Sequence, residues 1–309
     1  MAVTTTSSTS PSSSPSAAAA GTTAPDRRIA TSPSRSAMVA SRTALGALIR
    51  RDLAVLRKNF GEFVARTLVQ PFLLVFTFLY VFPTIGQGVG GGGGPGASSE
   101  FATVLVPGVV GIAIMFQGVQ AVAMVMAQEF GFTREIEDRV QAPCPIWLVA
   151  VAKVLSGATQ GVLAALIVFP IAMVVHAKDV DIHLTVHWPI AVTLVPLFCI
   201  TMSSLGLVLG TKFEPRNIGL MFGFVVLPVT FLGGTYYLWT ALESVKIGGF
   251  PWLQTLVLVN PLIYVNEGMR AAFTHAEHMH LYVIYPVALA FCAVFLAEGL
   301  RGFRKRVLS

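Results

Sequence analysis

The chain is a succession of long apolar runs broken by short polar ones. A run of about 20 predominantly apolar residues is long enough to cross a bilayer as a helix. Six runs reach that length, at 64–82, 101–127, 146–175, 188–210, 218–237 and 281–300. Most contain a proline (Pro71, Pro107, Pro170, Pro196, Pro228, Pro286), which predicts kinks where neighbouring helices satisfy the freed carbonyl. Before the first run the pattern changes. In "SRTALGALIRRDLAVLRKNFGEF" (41–63), Leu45, Leu48, Leu56, Phe60 and Phe63 recur at helical spacing, and Arg50, Arg51, Arg57 and Lys58 occupy much of the rest. That is the pattern of an amphipathic helix lying in a membrane interface, or of one packed on protein. Residues 1–40, rich in Ser, Thr, Pro and Ala, have too little apolar surface to repay ordering, and read as a disordered tail without the apolar core of a signal peptide. The expected fold is therefore all-α, with six transmembrane helices in 64–309 preceded by the interface helix.

Two polar islands carry their own local logic. In "NPLIYVNEGMRAAF", Asn260 suits a helix N-cap and Pro261 the first helical position. A helix over 261–273 is about 20 Å long, against a hydrocarbon core of about 30 Å, and it contains Glu267 and Arg270. It predicts a short re-entrant helix that dips in from outside and returns. Tyr236, Tyr237, Trp239, Trp252 and Tyr264 gather around it, as boundary anchors or as substrate contacts. The second island, "EFGFTREIEDRVQAPCPIW" (129–147), packs Glu129, Arg134, Glu135, Glu137, Asp138 and Arg139 between the second and third runs. Phe132, Ile136 and Val140 form a narrow apolar stripe at spacing four. The pairs Arg134–Asp138 and Glu135–Arg139 support a helix by about 0.2–0.5 kcal/mol each, and Pro143 and Pro145 end it. Such a segment reads either as a docking helix, charged for orientation and ridged for contact, or as a plain charged loop.

Composition narrows the class. Of 309 residues, 54% are hydrophobic and 12% charged, where soluble domains carry about 25% charged residues. A multi-spanning membrane protein follows. The net charge of +6 raises the question of nucleic acid, but no basic cluster is interleaved with stacking aromatics. Instead the charge reports topology. With the N-terminus inside and six spans, all of the 21 Lys and Arg residues except Lys178, Lys246 and Arg270 fall on the inside. Cys144, Cys199 and Cys292 are too scattered for a metal cluster or an obvious disulfide. "GQGVGGGGGPG" (86–96) lies between membrane helices and reads as a flexible loop. "GLVLGTKFEPRN" lacks the phosphate-binding G-x-x-x-x-G-K-[ST] pattern, and "HAEHMH" lacks the partners of a zinc site. No nucleophile–base pair points to an enzyme. Ion-coupled carriers place ionisable groups within their spans. Here Glu129, Lys153 and Glu298 stand near span ends, which weighs against a carrier; a non-transporting membrane scaffold stays open.

"FTREIEDRVQAPCPIW" followed by "KVLSG", and later "LPVTFLGGTYYLWTAL" followed by "PWLQTLVLVNPLIYVNEGMRAAF", resemble the membrane subunits of type-2 ATP-binding-cassette exporters over about residues 41–309. The usual Gly before Thr is displaced to Gly131, and Leu238 stands where a proline follows the aromatic pair. The resemblance implies a permease rather than an enzyme, with ATP and Mg bound by a separate P-loop ATPase and no cofactor on this chain. It implies that Thr133, Glu135, Ile136, Glu137, Asp138 and Arg139 couple to that ATPase. It implies an external gate or substrate contact at Tyr236, Tyr237, Trp252, Asn260, Pro261, Tyr264 and Arg270. It further implies pairing of two spanning chains, outward transport of a drug-like amphiphile, a lipid or a lipid-linked glycan, and a bacterial cytoplasmic membrane with both termini inside.

Overall fold

The computed structural model describes residues 37–85, 97–131, 145–175 and 184–308. The tail, the loop at 86–96 and the predicted docking helix at 132–144 lie outside the described residues. Helix α1 (Ala37–Lys58) is followed at Asn59 by α2 (Phe60–Thr84). Then come α3 (Ala97–Gly131), α4 (Ile146–Val174), α5 (Trp188–Lys212), the segmented helix α6 (Pro215–Phe231), α7 (Pro261–Phe273) and α8 (Leu281–Leu308). Among the described residues, five helices are long and apolar enough to cross a membrane: α2, α3, α4, α5 and α8.

The apolar run at 218–237 behaves differently from the other five. Its helix stops at Phe231, so α6 is about 26 Å long, short of the hydrocarbon thickness. Beyond the C-cap Leu232, Gly234 adopts φ +71°, a left-handed conformation that turns the chain. Tyr236 and Tyr237 therefore lie in a turn beyond the helix, not in a span. Hydropathy counts Leu232 through Tyr237 as span because it cannot see the turn. Both α2 and α6 also contain a π-helical turn, Phe76–Val81 and Phe222–Val226. In each, the N–H just before a proline reaches five residues back: Phe82 to Thr77 before Pro83, and Leu227 to Phe222 before Pro228. The one-residue slip accommodates the proline, which has no N–H to offer.

Helix α3 is the axis of the bundle, with 72% of its most apolar window buried against 17% for α8. The spans approach one another through glycine. A Cβ on Gly206 of α5 would stand 2.8 Å from the Val119 carbonyl of α3, and one on Gly210 would stand 2.9 Å from Met126 Cβ. These are the two glycines of "GLVLGTK", and their four-residue spacing is that of a small-residue seam between membrane helices. Backbone contact of this kind replaces the hydrophobic drive that lipid cannot supply. At one end of the bundle the chain entering α5 pairs with the exit of α7: Thr185 N–H donates to the Phe273 carbonyl at 2.9 Å and His187 N–H to the Ala272 carbonyl at 2.8 Å.

Candidate functional site

Among the described residues, two clusters that hold buried charge interrupt the apolar interior, well separated along α3. The first is built on α7, which covers Pro261–Phe273 as its sequence predicts. Asn260 caps it, its Oδ1 accepting the Leu262 N–H at 2.9 Å while its Nδ2 donates to the Val229 carbonyl at 2.7 Å. One residue thus starts α7 and ties it to the end of α6. Arg270 is fully buried and donates to Glu267 Oε1 at 2.7 Å and to the carbonyls of Gly234 and Thr235. Glu267 Oε1 also accepts the Trp239 N–H at 3.3 Å, and its Oε2 the Met279 N–H at 2.8 Å. Asn266 donates to the Gly233 carbonyl at 2.7 Å and to Thr235 Oγ1 at 2.9 Å. A buried charge is tolerated when it is paired and hydrogen-bonded, and in this group Arg270 Nε and Asn266 Oδ1 are the atoms left without a partner among the described residues. Here the pairing draws its acceptors and donors from the 233–235 turn, from Trp239 and from Met279, so these segments and α7 are locked as one unit.

That unit rests on α3 through two glycines: a Cβ on Gly111 would lie 2.0 Å from Asn266 Oδ1, and one on Gly108 2.7 Å from the Thr235 carbonyl. Around it, the Tyr236 ring lies 5.6 Å from Phe78 of α2 and Tyr237 donates its hydroxyl to the Phe231 carbonyl at 3.2 Å. Tyr264 donates to the Leu258 carbonyl at 3.0 Å. Tyr236, Tyr237, Asn260, Pro261, Tyr264 and Arg270 are thus gathered on or beside α7, whereas Trp252 stands apart, 38% exposed at the start of a short helix, Trp252–Leu256. The histidines of "HAEHMH" diverge: His275 meets His187 edge-on with ring centroids 5.1 Å apart, and His278 Nδ1 turns to the Met279 carbonyl.

The second polar group is about 30 Å away along α3, by residue rise. Lys153 lies two turns inside α4 and its Nζ meets Glu129 Oε1 of α3 at 2.7 Å, both side chains buried. Sequence position had set both at span ends, but the approach of α3 and α4 closes them off from solvent. Beside the pair is a cavity of about 370 Å3, lined among others by Arg51 and Asp52 of α1 and Glu62 and Arg66 of α2. Arg66 also lines a second, water-sized cavity of about 30 Å3 with Thr67, Gln70, Gln117 and Gln120. Deeper still, Thr67 Oγ1 donates to Gln117 Oε1 at 3.1 Å and Gln117 Nε2 to Gln160 Oε1 at 3.0 Å. A polar seam therefore runs between α2, α3 and α4 from the 132–144 end toward the middle of the bundle. Sequence analysis did not single out Asn266, Gln117, Gln160 or the Glu129–Lys153 pairing. Their signal was the cost of polar groups within apolar runs, which marks residues that need a partner without naming it.

The sequence has relatives among known proteins. A family model described as ABC-2 type transporter matches residues 43–274, which include both buried ion pairs, Glu129–Lys153 and Glu267–Arg270. The chain belongs to the ABC-2 type transporter family. Among curated relatives of this family member, the inner membrane transport permease YadH of Escherichia coli strain K12 is 28% identical over 240 residues, covering 77% of this chain and 87% of YadH. YadH of Shigella flexneri matches to the same extent. The ABC-2 chain is thus a transmembrane, multi-pass transport component, and not itself a catalyst. Its family implies an ATPase partner subunit.

Proposed function

We propose that this chain is the permease subunit of an exporter, forming the path of a hydrophobic or amphiphilic substrate and driven by ATP hydrolysis in a separate ATPase. The observation that supports this most is the position of the Glu129–Lys153 ion pair. It ties α3 to α4 at the ends that flank residues 132–144. A push on that segment is thereby delivered to both helices at once, and α3 is the buried axis of the bundle. In this reading Thr133, Glu135, Ile136, Glu137, Asp138 and Arg139 dock on the ATPase, which holds ATP and Mg. Both termini and the docking segment face the cytoplasm, in a bacterial inner membrane like the one named for YadH. The Thr67–Gln117–Gln160 seam offers hydrogen bonds to a polar head while a tail stays in an apolar setting, as an amphiphile requires. Two copies of the chain pair around the path, and the locked α7 unit closes its outer end.

The test is the double substitution Glu137→Lys/Asp138→Lys. Detergent purification of the unaltered chain from its host is expected to bring down a P-loop ATPase. The variant is expected to insert in the membrane normally and to lose that partner and its transport. Transport at the unaltered level would remove the docking role, and absence of any ATP-binding partner from the unaltered chain would overturn the exporter reading.

A further inference from the structure

A cavity of about 440 Å3 lies where α4 begins and α8 ends, lined by Ile146, Trp147, Leu300, Arg301, Phe303 and Arg304. The polar seam does not reach it: none of these residues lines the cavity beside Glu129 and Lys153. Its floor is apolar, with Phe303 buried and Ile146 and Leu300 half-buried. Its rim is cationic and aromatic. Trp147 is 55% exposed, and Arg301 and Arg304 face outward.

The basic residues at the end of α8 divide into two kinds. Arg306 is structural, donating to the carbonyls of Gly210, Thr211 and Phe213 at 2.8–3.2 Å and lying 4.7 Å over the Phe130 ring. It caps the end of α5 and is held there, turned away from the cavity lining. Arg301 is shared with Glu298 at 3.0 Å. Arg304 makes no ion pair or hydrogen bond among the described residues, and Lys305 is exposed beside it. Spaced at i, i+3 and i+4, the side chains of Arg301, Arg304 and Lys305 share one face of the helix.

We propose that this cavity holds an anionic phospholipid, its phosphate on Arg304 and Arg301 and the upper part of an acyl chain over Ile146, Leu300 and Phe303. Charge complementarity argues for the headgroup, because among the described residues the rim offers cations with one nearby acid, Glu298, already shared. The location argues for a lipid: the cavity sits at the ends of two spanning helices with an interfacial Trp at its edge, the setting in which basic pockets between membrane helices recognise acidic headgroups. The inference does not rest on the exporter reading; it requires only that α4 and α8 span a bilayer.

The test uses the full chain purified in mild detergent and native mass spectrometry with added lipid. Phosphatidylglycerol is expected to remain bound through mild activation about tenfold more than phosphatidylcholine. Arg301→Gln/Arg304→Gln is expected to abolish that preference, whereas Arg42→Gln/Arg50→Gln, which removes two basic residues of α1, keeps it. Should the double variant fail to purify, Arg304→Gln alone is expected to reduce the preference about threefold. Equal retention of the two lipids, or a preference unchanged by Arg304→Gln, would overturn the proposal. Displacement of the lipid by millimolar glycerol phosphate would overturn it too, by showing an anion site without a lipid's tail.

Discussion

Arg270→Met removes the cation at the centre of the α7 unit and leaves its volume roughly filled. In the intact protein that guanidinium answers a buried carboxylate and two backbone carbonyls. Without it, Glu267 keeps the N–H groups of Trp239 and Met279 but no counter-charge. Stranding one member of a buried ion pair costs about 3–5 kcal/mol. Folding stability as a whole is about 5–15 kcal/mol, so the loss is a large share of it. At about 2–4 °C per kcal/mol for chains of comparable size, the midpoint of thermal unfolding falls by roughly 10 °C. Arg270→Met/Glu267→Met removes both charges and is expected to recover more than half of that loss, because the principal penalty is the uncompensated charge. Arg270→Lys falls between, since one ammonium cannot reach three acceptors held by a planar fork. The assay is fluorescence-detected unfolding in detergent, with limited proteolysis of residues 232–260 as a local readout. A single variant within about 2 °C of the parent would refute the reasoning. So would a double variant as unstable as the single one, since it would place the cost in packing and not in charge.

The other polar group makes a parallel prediction. Lys153→Met removes a close cationic partner of the buried Glu129 and is expected to lower the unfolding midpoint by several degrees, and adding Glu129→Leu is expected to restore part of it, read by the same assay. The seat of α7 on α3 can be tested without altering charge. Gly111→Ala places a methyl 2.0 Å from Asn266 Oδ1 and is expected to destabilise by about 1–3 kcal/mol, whereas Gly219→Ala, with nothing within 4 Å, is expected to be neutral or slightly stabilising.

Much of this architecture is local and was legible in the sequence. A run of apolar residues long enough to span needs no partner to declare itself, so α2, α3, α4, α5 and α8 were readable from length and hydropathy. The start of α7 was readable for the same reason, because an Asn cap and a following Pro act within two residues of each other. What the tertiary structure decided is which distant groups meet. Arg270 finds a carbonyl 36 residues away and Lys153 a carboxylate 24 residues away. The helix α6 stops at Phe231 and the chain turns at Gly234 inside an apolar run, where hydropathy saw no boundary. Periodicity reports what each residue prefers, apolar or polar. It does not report where a glycine lets two backbones close to contact, and that approach is what turns isolated polar residues into the α7 lock and the seam.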